Sequence, residues 1–168
     1  MKKNLCLLFL FIFAFSYAHA QREKAVTTFI LLRHSEKVND GTSDPDLKPE
    51  GVERSNRIAN MLGDVAIDAV YSTNYKRTRN TITPLAQRKN LEVQQYEAFK
   101  PEVIEEMIKK HNGGTIVVSG HSNNIPWIAN LLMGKEEYKT YDDADYGIML
   151  IVSVVEKGKV AKVTRINY

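Results

Sequence analysis

Short apolar runs alternate along this chain with longer stretches of helical spacing, and that alternation most narrows the folds open to it. Residues 27–32 (TTFILL), 68–72 (DAVYS), 115–119 (TIVVS) and 148–155 are β-prone and apolar. Between them, Val52, Ile58, Ala59 and Leu62 recur at helical spacing before Gly63. So do Thr78, Ile82, Leu85 and Ala86 within 75–89, and Val103, Ile104, Met107 and Ile108 within 102–111. Pro84 predicts a bend in the second of these helices. A further helix ends near Met133, with Pro126 in its first turn, where a missing N–H costs little. A weak strand at 91–96 and a last strand near 160–166 complete the order β-α-β-α-β-α-β-α-β-β. This order predicts an α/β fold: a three-layer α/β/α sandwich with a mainly parallel sheet and an antiparallel edge strand at the C-terminus.

The first twenty residues read as a separate segment. Lys2 and Lys3 precede an apolar run from Leu5 to Phe15, and Ala18-His19-Ala20 has the small-x-small form of a cleavage site. The run is too short for a comfortable membrane span. Residues 1–20 are therefore expected to be a signal peptide and 21–168 a single domain, exported to the periplasm or secreted, with no stable membrane anchor after cleavage. Removing the leader takes away two lysines and no acid, which lowers the net charge from +3 to +1. No large basic field then remains to suggest a nucleic-acid partner. The only cysteine, Cys6, leaves with the leader, so a disulfide, a thiol nucleophile and a cysteine-built metal site are all excluded from the domain. With 43% of the whole chain apolar and only part of that in the leader, the domain has the means to form a packed core without cross-links.

In a largely parallel sheet, ligands bind beyond the carboxyl ends of the strands. The first strand is followed by Arg33-His34-Ser35-Glu36-Lys37, and TIVVS by Gly120-His121-Ser122-Asn123. The second strand ends at Ser72, with Arg77 five residues on. A parallel arrangement brings two histidines and two arginines to one edge. His111, near the end of a helix, reads as structural. Two guanidiniums repel a metal cation, and no carboxylate set accompanies them, so no metal and no cofactor is expected. A phosphate dianion suits the cluster, because Arg forks bind phosphate oxygens in pairs. A unit-charge contact at about 4 Å is worth on the order of 4 kcal/mol at an effective dielectric of about 20. No P-loop and no GxGxxG is present. A neutral imidazole beside a bound phosphoryl group suggests covalent catalysis through nitrogen.

These residues resemble a known family. Leu31-Leu32-Arg33-His34-Ser35-Glu36-Lys37 resembles the RHG-type signature of the histidine phosphatase superfamily, also called phosphoglycerate-mutase-like, with Ser35 in place of the usual glycine. Leu47-Lys48-Pro49-Glu50-Gly51 resembles its L-T-x-x-G segment, residues 71–81 its S-x-x-x-x-R-x-x-x-T block, and residues 117–123 its second-histidine block. The resemblance implies that His34 is the nucleophile and forms a phosphohistidine, with Arg33, Arg77 and His121 around the phosphate. Lys37, Ser72 and Ser122 are expected to touch substrate. The family's leaving-group acid is poorly matched: Ser122 stands where one branch has Asp, and Glu97 or Glu36 is the candidate, or none.

The implied protein is a small exported, metal-independent phosphatase acting on a phosphorylated small molecule or phosphoprotein. Little is inserted between the second strand and the third helix, and a small lid favours hydrolysis over a mutase that must exclude water. The alternatives are a non-catalytic phosphate-binding pseudoenzyme and a sugar-phosphate mutase. The Tyr- and Asp-rich stretch 134–146 reads as a solvated loop, and Trp127 as core.

Overall fold

The computed structural model describes residues 25–168, so the signal-peptide reading of 1–20 lies outside the described residues. The strands are β1 (Thr27–Arg33), β2 (Ala69–Ser72), β3 (Val93–Gln95), β4 (Thr115–Gly120), β5 (Ile148–Glu156) and β6 (Val160–Asn167). The helices are α1 (Pro49–Met61), α2 (Lys76–Arg88), α3 (Pro101–Lys110) and α4 (Asn124–Met133). The sheet order is β3-β2-β4-β1-β5-β6.

Alternation along the strands builds two cores. In β1, Phe29 and Leu31 join Ile116, Val118, Leu150 and Val152 on one face, against Ile104 and Met107 of α3 and Ile125, Ile128 and Leu132 of α4. Ile30 and Leu32 point the other way and join Val70, Val117 and Met149 against Ile58 of α1 and Ile82 and Leu85 of α2. Successive strand side chains face opposite sides, so a strand buried on both faces reads as a continuous apolar run. Each fully buried Leu or Ile contributes about 1.5–3 kcal/mol relative to exposure. The expected three-layer α/β fold is present.

Register positions the site. β1 and β4 pair in parallel with Arg33 opposite Gly120, and β2 pairs in parallel with β4 with Ser72 opposite Ser119. The three strands end level. His34 N–H donates to Gly120 O at 2.8 Å, so the next residue of each strand emerges at the same edge.

Two local expectations change. β6 is an antiparallel edge as expected, but β5 also runs antiparallel to β1. The cause is segment 134–147, which leaves the far end of α4 and returns to the site edge before β5 begins: Tyr141 N–H donates to Ser122 O at 3.0 Å. That stretch is mostly exposed, as read from its composition, but Tyr138 and Tyr141 pack against the first core where it crosses back. Trp127 is only half-buried, packed on the first core with its ring edge towards Phe99.

Pro84 lies inside α2, and the helix continues through it. Proline removes the N–H that would bond Asn80 O. The buried Ser55 hydroxyl of α1 sits 2.9 Å from Asn80 O and 2.8 Å from Thr81 O and shares its proton between them. Gly51 shows why the segment opening α1 needs glycine: a Cβ there would lie 2.2 Å from Glu36 O.

Candidate active site

A cavity of about 690 Å³ opens at the level ends of β1, β2 and β4. Arg33, His34, Arg77 and His121 all line it, together with Lys37, Glu97 and Ser122. Ser72, read from sequence as a substrate contact, does not line it. Its hydroxyl turns inward and donates to Thr73 O at 2.9 Å, because side chains alternate and position 72 faces the core. The next residue, Thr73, takes that place in the wall.

His34 is 4% exposed, and its ring centroid lies 5.5 Å from that of His121. Its Nδ1 is 2.9 Å from Ser35 O. A carbonyl only accepts, so Nδ1 carries the proton and Nε2 keeps the lone pair. Burial lowers the His34 pKa from 6.5 to about 3, against the pull of the Ser35 hydrogen bond and helped by Arg33, His121 and Arg77. The ring is thus neutral and fixed in one tautomer. The nucleophile loop is held from α2: Ser35 N–H donates to Thr81 Oγ1 at 2.8 Å, while that hydroxyl donates to Arg77 O at 2.7 Å. Arg77 and Thr81, one helical turn apart, therefore serve the same loop.

His121 is oriented by a relay of hydroxyls. Thr78 Oγ1 donates to main-chain oxygens of Thr73 and Tyr75 at 2.9 Å, and Thr73 Oγ1 donates to Thr78 Oγ1 at 3.0 Å. Thr73 has no second proton, so His121 Nε2–H donates to Thr73 Oγ1 at 3.0 Å. Burial, then Arg77 and Arg33, lowers the His121 pKa to about 4. Below the site, His121 N–H donates to Asn124 Oδ1, Asn124 Nδ2 donates to Tyr96 OH, and Tyr96 OH donates to Ser119 O. Ser122 and Asn123 sit at the amino end of α4, where the helix dipole favours an anion.

The two guanidiniums are held on aromatic faces. Arg33 Cζ lies 4.4 Å from the Tyr146 ring centroid and Arg77 Cζ 4.4 Å from that of Tyr75. Arg33 Nη1 also donates to Asp142 O at 2.7 Å, and Arg77 Nη1 lies 3.8 Å from Asp44 Oδ1. Nε of Arg33 and Nε of Arg77 are both buried with no acceptor in the protein. Both arginines line the cavity, where their guanidiniums offer charged donors to an oxyanion.

The two acid candidates separate clearly. Glu36 is outside the cavity wall and locked to Arg54, with Nη2 to Oε1 at 2.6 Å and Nε to both oxygens at 3.0 Å. Burial would raise its pKa, but the Arg54 bonds outweigh that and lower it, so Glu36 stays ionised and has no proton to give. Glu97 does line the cavity, with its side chain 65% exposed and paired with Lys100. His111 lies elsewhere, its Nε2 3.0 Å from Tyr71 OH, as a structural histidine.

Sequence reasoning missed Thr73, Tyr75 and Phe99, and weighed Tyr146 only within a loop cluster at the mouth of the site. Thr73 was readable as the first residue past a strand end. Tyr146 belongs to the Tyr- and Asp-rich stretch whose packing only the fold reveals.

A family model described as "Histidine phosphatase superfamily (branch 1)" matches residues 29–100, from β1 through α2 to the Glu97 segment. This stretch belongs to the histidine phosphatases. The phosphoserine phosphatase 1 of Hydrogenobacter thermophilus is 37% identical over 70 residues, which are 38% of this chain and 33% of that protein. The chain thus spans about a third of that relative's length. The likeness of fold extends over most of the chain. A phosphoglycerate mutase from Bacillus anthracis superposes with a TM-score of 0.66 at 15% identity, covering 86% of this chain and 94% of that one. The protein histidine phosphatase SixA complexed with tungstate gives 0.67 at 17% identity, over 83% of this chain and 96% of that one.

Proposed function

We propose that this chain is an exported, metal-independent histidine phosphatase that hydrolyses a phosphomonoester through a phosphohistidine on His34. The observation that carries the reading is the buried, neutral, single-tautomer imidazole of His34 set among two guanidiniums with unsatisfied Nε donors. Export follows from the leader pattern of residues 1–20.

In the first step His34 Nε2 attacks phosphorus in line, the P–N bond forms and the bond to the leaving oxygen breaks. Glu97, which lines the cavity, passes a proton to that oxygen. Arg33 and Arg77 bind the equatorial oxygens, where charge spreads in the transition state. The incoming dianion also favours protonation of His121, which then donates from Nδ1 while Nε2–H stays on Thr73. In the second step water attacks the phosphohistidine, yields its proton to the Glu97 carboxylate, and inorganic phosphate leaves.

The test is acid-quenched trapping of radiolabelled phosphate on the protein, followed by peptide mapping. Label is expected on His34, and His34→Ala should lose label and lower turnover of para-nitrophenyl phosphate by roughly a thousandfold or more while remaining folded. Full activity in that variant removes the mechanism. Chelator is expected to leave the rate unchanged; strong inhibition would place a metal in the reaction.

A non-catalytic reading has one observation in its favour, the pairing of exposed Glu97 with Lys100. Phosphate binding without any trapped label would establish it.

A further inference from the structure

The cavity is far larger than a phosphoryl group requires. At about 690 Å³ it falls in the range that holds a whole small molecule, about 300–1,000 Å³. The His–Arg cluster occupies one end. Segment 95–99 also lines the cavity, and its last member is Phe99.

Phe99 is unusual in three ways. Its φ is +60°, the left-handed region that a bulky side chain rarely adopts. Its side chain is not held there by burial, since the residue is 49% exposed. Its ring is instead propped by another element: the Trp127 ring of α4 meets it at 5.4 Å between centroids and 64° between planes. An aromatic ring is thus kept half in solvent, on a backbone conformation that costs energy, at the wall of the phosphate cavity. Tyr75, 42% exposed, brings a second aromatic ring into the wall, beside His121 at 5.0 Å. The neighbouring Gln95, Asn74 and Asn123 are polar and uncharged.

We infer that Phe99 is a specificity-determining residue, and that the substrate is a phosphomonoester whose alcohol carries a flat ring that packs on Phe99. The inference rests on the phosphatase reading for its phosphoryl end. A flat ring matches the exposed aromatic surface, gaining offset or edge contacts that an alkyl or hydroxy-acid body does not. A tyrosyl phosphate and a nucleoside monophosphate share this chemistry.

The experiment separates ring contact from leaving-group reactivity. Benzyl and ethyl phosphate both release an alkoxide, but only one has a ring. Benzyl phosphate is expected to have the higher kcat/KM, by roughly three- to tenfold from the size of a single aromatic contact. Phe99→Gly should erase that ratio through KM, bringing kcat/KM for benzyl phosphate down to that for ethyl phosphate. Glycine suits φ +60°, so the melting temperature of Phe99→Gly should be equal or higher, which separates loss of the ring from loss of the fold. Equal kcat/KM for the two esters, or a proportional loss on both in Phe99→Gly, overturns the inference. Phosphotyrosine and adenosine monophosphate, run against phosphoserine, name the source: preference for either ring compound supports the inference, and preference for phosphoserine over both overturns it. If no phosphate is trapped on His34, binding still decides. Tighter calorimetric binding of benzylphosphonate than ethylphosphonate, lost in Phe99→Gly, keeps the ring site while the phosphatase reading fails; equal binding overturns the ring site.

Discussion

At the floor of the cavity His34 is 4% exposed and Arg33 2%; at its rim Phe99 is 49% exposed and the Glu97 side chain 65%. Floor residues follow strand ends whose register is set by the sheet, and their orientations are over-determined. His34 is tied through Ser35 O, Ser35 through Thr81, and His121 through Thr73. Rim residues such as Glu97, Phe99 and Asp143 lie on segments 95–99 and 142–146 and are exposed. The difference separates two tasks. On the proposed function, a fixed floor pre-organises charge for phosphoryl chemistry, while an exposed rim would contact the body the phosphate is attached to.

Arg77→Ala should break the floor most visibly after His34. It removes a cation facing the phosphoryl oxygens, and kcat/KM should fall about a hundred- to a thousandfold on every phosphomonoester, aryl or alkyl alike. A loss confined to one class of substrate would move Arg77 from floor to rim. Glu97→Gln should behave as a rim change with a chemical signature. An alkyl phosphate needs a protonated leaving oxygen and should lose about a hundredfold in kcat, whereas para-nitrophenyl phosphate, with its good leaving group, should lose little. Equal losses on both esters would remove Glu97 as the acid.

The smallest effect is in pH. In the empty protein the folded His34 pKa is about 3 against 6.5 when exposed. As pH falls through 6.5, the unfolded chain takes up a proton that folded His34 refuses. Its contribution to stability is thus complete above 6.5 and declines in acid down to about pH 3, by at most about 1.4 kcal/mol per pH unit. Nitrogen NMR of the ring should show His34 neutral at pH 5, with Nδ1 protonated. Inorganic phosphate should raise the His121 midpoint from about 4. A His34 midpoint near 6.5 would mean the floor is solvated like the rim.

Much of the floor was readable in advance because it depends on local pattern. Apolar runs locate β1, β2 and β4, and the residues just past them, His34 and His121, inherit their place from the strand ends. The spacing of Arg77 and Thr81 is one helical turn, so a sequence block already states that both face the same way. Ser72 was misplaced by one residue, and in a strand one residue is the other face of the sheet. Glu36 stood as the second acid candidate after Glu97 until the fold brought Arg54 of α1 against it. Segment 134–146 was read as solvated from its polar composition, and most of it is exposed; what composition did not show is that the Asp142 main-chain oxygen accepts from Arg33 and the Tyr146 ring lies against its guanidinium.

Sequence alone determined the layered α/β class, the four charged or imidazole groups of the floor and the kind of anion they suit, since periodicity and strand-end position are properties of neighbouring residues. Tertiary structure alone decided which carboxylate reaches the cavity, which nitrogen of each histidine keeps its proton, and that Phe99 stands at the wall in a left-handed conformation. Each of those depends on groups distant in the chain, such as Arg54 beside Glu36 or Trp127 beside Phe99, and contacts of that kind leave no period for a local reading to detect.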